Sequence, residues 1–290
     1  MPIDSETSGI PERGEPFLKW PGGKRWLAPL LLKIAKSQEF SAYREPFLGG
    51  GALFFALRPD TAVLSDINGE LINTYRQVKL HPDLMLSSLR RLPADKETFY
   101  SVRSAVGGST IDRAVRFLYL NRTSFGGLYR LNRNGVFNVP FGGGERTAAP
   151  LWTRRLIASA TIALQRARLL TCDFEDALES AGGGDLVYCD PTYTVAHNNN
   201  GFIRYNESNF SWQDQQRLAD CCHAAARRGA LVIVSNAQHK DLIRLYRPHR
   251  RWSVSRTSCL CPDASYRRLV TEYIFLFGPA SRLRLLPTSL

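Results

Sequence analysis

Short runs of apolar residues that end in polar ones recur along the chain. Val63-Leu64 runs into Ser65-Asp66, Leu186-Val187-Tyr188-Cys189 into Asp190-Pro191, and Leu231-Val232-Ile233-Val234 into Ser235-Asn236. Strands apolar on both faces suit a parallel sheet covered on both sides. Polar residues at their C-terminal ends suit a site along one edge of that sheet. Between the last two runs, Ser211 and Asp214 form a capping-box pattern, Leu218, Cys222, Ala225 and Ala226 recur at helical spacing, and Gly229 follows. That combination predicts a helix with a defined start and stop. The β-α-β order makes the fold α/β. Tyr43 to Gly51 runs from a turn into glycine and then into Ala52–Leu57, a helix-like segment and the longest apolar run; Leu269–Phe277 alternates and then fills with apolar residues, as a final strand would.

The middle of the chain follows another pattern. From about Asn73 to Leu164 the strand signal fades, and Ile111 to Leu120 reads as an amphipathic helix. From Arg113 through Gly144 there are five arginines and no acid, with Phe117, Tyr119, Phe125, Tyr129, Phe137 and Phe141 interleaved. Basic and aromatic residues on a Gly/Asn-rich hairpin suit contact with DNA, because arginine reaches phosphates and guanine edges while a ring can wedge between bases. The competing reading is an ordinary solvated hairpin on a helical subdomain. The pattern divides the chain into a first part of the α/β domain (1–72), an inserted helical domain carrying a β-hairpin (73–164) and a second part of the α/β domain (165–290).

Charge changes the picture next. Lys and Arg exceed Asp and Glu by 12 over 290 residues, which suggests a polyanionic partner or else a generally basic surface. No apolar run approaches the ~20 residues of a membrane helix, so no membrane association is expected. Met1 to Glu15 is polar, without the apolar core of a secretory signal. The six cysteines are then expected as reduced thiols in a cytoplasm. Cys221-Cys222 and Cys259-Leu260-Cys261 lack the usual pairing of a zinc site, so no metal is expected.

Two segments carry candidate chemistry. Arg44-Glu45-Pro46-Phe47-Leu48-Gly49-Gly50-Gly51 is a turn whose glycines let a ligand approach the backbone, and Asp66 follows about one β-α-β step later, where a carboxylate could accept from a ribose. The dinucleotide pattern is not met. The phosphate-loop pattern also fails, because Arg25 follows Gly22-Gly23-Lys24 and Leu18 stands where its first glycine should be. The second segment is Asp190-Pro191-Thr192-Tyr193. Asp190 and the Pro191 carbonyl could accept both hydrogens of an aromatic amine, which would free the nitrogen lone pair for attack, and Tyr193 could stack on the ring. A plain strand-ending turn is the alternative. His197-Asn198-Asn199-Asn200-Gly201 reads as a loop that closes over a base or as a surface loop, and Phe202, Tyr205 and Phe210 as core or base-contacting.

From about Phe17 to Phe277 the chain resembles the Dam-type DNA adenine N6-methyltransferases. The resemblance rests on Phe17-Leu18-Lys19-Trp20-Pro21-Gly22-Gly23-Lys24, Glu45 to Gly51, Asp66-Ile67-Asn68, Leu120-Asn121-Arg122 through Phe137-Asn138-Val139-Pro140-Phe141-Gly142, and Asp190, Pro191 and Tyr193, in that order. It implies a Rossmann-like methyltransferase sheet and methyl transfer from S-adenosylmethionine to the N6 amine of an adenine flipped out of duplex DNA. Trp20, Lys24, Glu45, Pro46, Phe47, Gly49, Gly51, Asp66, Asp173, Phe174 and Asp190 are then the expected cofactor residues. Asp190, Pro191 and Tyr193 are the expected catalytic ones. Arg122, Phe125, Gly126, Leu128, Arg130, Asn132, Arg133, Asn138 and Pro140 are the expected DNA-contacting ones, with Arg130 on a guanine edge and Phe125 as a wedge. The implied molecule acts as a monomer or homodimer on DNA in the cytoplasm, at the nucleoid. The sequence departs from the family pattern at Thr192, where proline is usual, and at Gly126, where a polar side chain is expected. Thr192 motivates an alternative, a sequence-specific DNA-binding protein impaired in catalysis; a methyltransferase acting on RNA or free nucleotides is a second.

Overall fold

The structure, a computed structural model, describes residues 15–20, 22–132, 135–143, 151–194, 210–257 and 269–284. In chain order the elements are α1 (Ala28–Lys36), β1 (Ala42–Glu45), α2 (Ala52–Leu57), β2 (Ala62–Asp66), α3 (Gly69–Leu80), α4 (Pro82–Arg90), α5 (Lys96–Ser104), α6 (Thr110–Thr123), a 3-10 turn (Phe125–Gly127), α7 (Arg154–Leu164), β3 (Ala167–Thr171), α8 (Phe174–Glu179), β4 (Asp185–Cys189), α9 (Trp212–Arg227), β5 (Leu231–Ala237), α10 (Lys240–Tyr246), β6 (Arg250–Thr257), β7 (Leu269–Phe277) and α11 (Ala280–Arg284). The chain divides into two compact units. One takes Met1–Leu32, Gly49–Asp60 and Asn68–Thr171; the other takes Lys33–Leu48, Thr61–Ile67 and Cys172–Leu290.

Six of the seven strands of the sheet fall in the second unit, in the order β2-β1-β4-β5-β7-β6. β2, β1, β4 and β5 are parallel, and β7 runs antiparallel to both β5 and β6. β4 and β5 are buried along their whole length, as their unbroken apolar runs predict. β1 reads poorly as a strand because it carries Arg44 and Glu45. Both are accommodated: Arg44 donates to Asp185 at 2.7 Å, and Glu45 accepts from the Tyr43 hydroxyl at 2.8 Å. The expected helix is α9, with both halves of its Ser211–Asp214 capping box formed. Its apolar face, Leu218, Cys222, Ala225 and Ala226, joins Val187, Val232, Val234, Phe275 and Phe277 in one buried core.

The first unit is mainly helical. α6 is capped by Ser109 and Asp112 and buries Val115, Phe117, Leu118 and Tyr119. After it the chain makes an irregular hairpin rather than a regular ladder: single antiparallel bridges join Ser124 to Phe141 and Leu131 to Phe137.

Candidate active site and nucleic-acid interface

In the second unit the sheet order reverses direction between β1 and β4. From β1 the chain proceeds outward to β2, and from β4 it proceeds the other way to β5. In open α/β sheets the crevice beyond the carboxyl ends of two such strands is where ligands bind. Several of the expected site residues stand at these carboxyl ends. Glu45 ends β1 and is buried, Asp66 ends β2 and is half-buried, and Asp190 follows the last residue of β4.

The loop leaving β1 is anchored where the Leu48 N–H donates to the Ser65 carbonyl of β2 at 3.0 Å. Phe47 then stacks on Phe174 with ring centroids 5.4 Å apart, and Phe210 meets Phe47 edge-on at 5.6 Å. Asp173 caps the start of α8 by accepting from the Glu175 N–H at 2.9 Å. It also accepts from Arg217 of α9 at 2.8 Å. Arg217 binds Glu175 and Asp214 as well, and its guanidinium lies 4.8 Å from the centroid of Phe174. Hydrogen bonding to Glu175, and then Asp214 and Asp173, raises its pKa further above the ordinary arginine value. The side chain acts as a fixed clamp on the Asp173-Phe174 corner.

The segment after β4 is held from behind. Asp190 accepts from the Ser235 hydroxyl of β5 at 2.7 Å. The Tyr188 hydroxyl lies 3.0 Å from the same Ser235 oxygen. Ser235 has one proton and gives it to Asp190, so Tyr188 donates to Ser235. Burial, and next the Asp190 carboxylate, push the Tyr188 phenol well above its usual value, which keeps it a donor. Pro191 is buried, Thr192 exposed and Tyr193 half-buried, with the Tyr193 hydroxyl donating to Glu272 of β7 at 2.7 Å.

In the first unit Trp20, Gly49 and Gly51 form a compact corner. Gly49 and Gly51 have φ of 45° and 63°, the left-handed region that favours glycine. A Cβ on Gly49 would lie 2.7 Å from the Trp20 indole nitrogen, so the ring packs directly on bare backbone. Tyr75 donates to the Gly49 carbonyl at 3.0 Å. Lys24 is buried, with its ammonium 3.2 Å from the Gly22 carbonyl. Trp20 also stacks with Tyr129 of the hairpin, 6.1 Å between centroids.

The hairpin presents Phe125, Gly126, Arg130, Asn132 and Pro140 to solvent, with Leu128 and Asn138 partly buried. Phe125 is 57% exposed, an unusual state for phenylalanine. Arg130 donates to the Asn138 side-chain oxygen at 2.8 Å. Arg122 points the other way, donating to the Phe17 carbonyl at 2.9 Å, 5.7 Å from the Trp152 ring. Its neighbour Asn121 is fully buried and exchanges hydrogen bonds with the Lys19 backbone at 2.9 and 2.6 Å. The pair straps the Phe17–Trp20 segment to α6. Arg133, the His197–Gly201 loop, Phe202, Tyr205, Cys259 and Cys261 lie outside the described residues. Among the described residues no cluster of His, Cys, Asp or Glu suits a metal ion, and no helix is long and apolar enough to cross a membrane.

A family model described as D12 class N6 adenine-specific DNA methyltransferase matches residues 20–258. The chain belongs to that class. It is an adenine-specific DNA methyltransferase of mixed α/β fold, and S-adenosylmethionine is its methyl donor. It is similar to the type II methyltransferase M1.LlaDCHI of Lactococcus lactis subsp. cremoris, 36% identical over 270 residues, covering 89% of this chain and 94% of that one. A DNA adenine methylase of Vibrio cholerae is 31% identical over 271 residues (91% and 96% covered), and that of Escherichia coli strain K12 is 30% identical over 275 (92% and 97%). The reading of this methyltransferase as a DNA-binding protein impaired in catalysis finds no support among them.

Sequence reasoning missed Ser235, Glu272 and Arg217 as parts of the site. Ser235 had a signal, as the first polar residue after an apolar strand. Glu272 had one too, as the lone acid in the run Leu269–Phe277. Arg217, one of many arginines, had none.

Proposed function

We propose that Asp190, Pro191 and Tyr193 hold an adenine extruded from duplex DNA while its N6 attacks the methyl carbon of S-adenosylmethionine. The observation that carries this reading is the placement of Asp190: a carboxylate at the end of β4, beside the switch point, with one oxygen already fixed by Ser235. Asp190 and the Pro191 carbonyl accept the two N6 hydrogens, which localises the nitrogen lone pair and points it outward. Tyr193 supplies a ring face for stacking. The departing N6 proton passes to Asp190 or to solvent. Extrusion is required because N6 is stacked and paired inside the duplex. Positioning supplies most of the rate.

The second unit's donor set suits the cofactor. Carboxylates at Glu45 and Asp66 match ribose hydroxyls and a cationic group. Ile67, beside Asp66, is 72% exposed and offers an apolar face to a purine, as do the rings of Phe47 and Phe174. Asp173 is an acceptor for an exocyclic amine, and Pro46 closes the loop behind Phe47. When bound, S-adenosylmethionine supplies an electrophilic methyl on a sulfonium. The assignment of Trp20, Lys24, Gly49 and Gly51 to the same cofactor rests on the family resemblance.

The exposed tip of the hairpin is the reading we favour for DNA contact, with Arg130 on a guanine edge, Phe125 as the wedge, and Gly126, Leu128, Asn132, Arg133, Asn138 and Pro140 around them. Arg122 supports this surface from behind through its bond to Phe17. The enzyme then acts on duplex DNA as a monomer or homodimer, in a nucleoid setting. The test is transfer of a labelled methyl group to mixed-sequence duplex, followed by mapping of modified bases. N6-methyladenine in one sequence context is expected. No incorporation together with no cofactor binding overturns the proposal, and preference for single-stranded RNA in competition overturns the choice of substrate.

A further inference from the structure

β7 carries Glu272 among Leu269, Val270, Tyr273, Ile274, Phe275, Leu276 and Phe277. In the ladder with β5, Glu272 pairs with Ala237, two residues beyond Ser235, at the same end of the sheet as Asp190. Its side chain is 1% exposed. A carboxylate removed from water is strongly unfavourable unless it is bonded in place. An apolar side chain would serve the packing of this strand better, as Phe275 and Phe277 do two and five residues on. The position therefore asks for a polar task, and the bond it makes names one: the Tyr193 hydroxyl donates to its Oε2 at 2.7 Å.

The consequence is geometric. A tyrosine ring swings about two side-chain torsions, and a half-buried ring in a strand-end turn has room to do so. Fixing the hydroxyl tip removes that swing and presents one ring face at a set angle. Ser235 does the matching task for the Asp190 carboxylate from β5. Burial first, and then the charges of Glu272 and Asp190, push the Tyr193 phenol well above its ordinary value, so it remains a donor.

We infer that Glu272 is a positioning residue for methyl transfer, acting through the Tyr193 hydroxyl to hold the stacking ring in the orientation that receives the target base. The inference rests on the reading above in which Tyr193 stacks on that base. Neither residue's hydroxyl or carboxylate needs to touch the substrate for the effect.

The experiment compares Tyr193→Phe, Glu272→Gln, the double variant Tyr193→Phe/Glu272→Gln, and Tyr193→Ala in the full chain. The readouts are kcat, the KM for DNA, calorimetric affinity for S-adenosylmethionine, and fluorescence of a duplex with 2-aminopurine at the mapped target adenine. Tyr193→Phe and Glu272→Gln are each expected to lower kcat by fivefold or more and to weaken the fluorescence rise on binding. Cofactor affinity is expected to stay within twofold, and the double variant to lose no more than the worse single one. An unchanged kcat and fluorescence rise in folded Glu272→Gln overturns the inference, and so does a double loss equal to the product of the singles. If Glu272→Gln fails to fold, Tyr193→Phe alone decides, since it leaves the carboxylate in place. Tyr193→Ala separates the two levels. Full turnover in that variant removes the stacking reading itself, whereas loss there with wild-type behaviour in Tyr193→Phe removes only the role of Glu272.

Discussion

Ser235 places one hydroxyl between two groups of the site, accepting from Tyr188 and donating to Asp190. Ser235→Ala removes a bond to a charged acceptor, which is worth about 1.5–3 kcal/mol. If the whole of that is felt in the transition state, kcat falls about ten- to a hundredfold. Cofactor affinity measured by calorimetry is expected to change little, because the variant leaves the Phe47–Phe174 corner intact. Asp190→Ala goes further. It removes the acceptor that localises the N6 lone pair, so label transfer is expected to vanish while duplex binding, followed by gel shift, persists. Equal loss of transfer and binding would contradict the role given to Asp190.

Among the elements, the corner after β1 is the most exacting. Gly49→Ala meets two obstacles: a left-handed φ of 45°, and a Cβ 2.7 Å from the Trp20 indole. The backbone part alone costs about 1–2 kcal/mol, and moving the indole adds to it. A lower midpoint in denaturant titration is expected, with an unchanged slope; a midpoint equal to that of the parent would show that the corner relaxes freely. How far the elements were legible depended on what each strand and helix is made of. β4, β5 and α9 declare themselves, since unbroken apolar runs and a paired cap have few other uses. β1 hides because its two charges are paired inside the fold. β6 begins Arg250-Arg251 and continues with serines around Trp252 and Val254, the look of a loop. It is an edge strand, where charge is useful against unwanted pairing. The hairpin after α6 was foreseen in kind, but its single bridges leave no period-two ladder to read.

At the scale of the molecule, the excess of 12 positive charges does not translate directly into a binding surface. Of the arginines in the acid-free stretch, Arg113 pairs with Glu70 at 3.2 Å, Arg116 donates to the Ala105 carbonyl at 2.6 Å, and Arg122 holds Phe17. Arg130 is the described one that stands at the exposed tip. The charge run thus signalled two things at once, internal strapping and outward contact, and composition could not separate them. The candidate site was legible in a similar, divided way: Asp190 and Tyr193 were visible from their own segment, but Ser235 and Glu272 come from strands 45 and 79 residues away. For DNA binding as a whole, the logarithm of the association constant is expected to fall linearly with the logarithm of salt. The slope is about −0.9 per phosphate neutralised. A binding constant indifferent to salt, measured by fluorescence anisotropy, would rule out a phosphate-contacting surface.

The hairpin closes on itself at its base: Phe125 donates to the Pro140 carbonyl at 3.0 Å and Gly142 to the Thr123 carbonyl at 2.9 Å. Its two ends therefore meet at one spot on the end of α6, and everything between them is carried like a tool tip in a chuck. Such a cassette is the natural graft for engineering. Exchanging residues 125–140 for the equivalent stretch of a relative would splice in a new reading head without recutting any strand of the sheet that performs the chemistry.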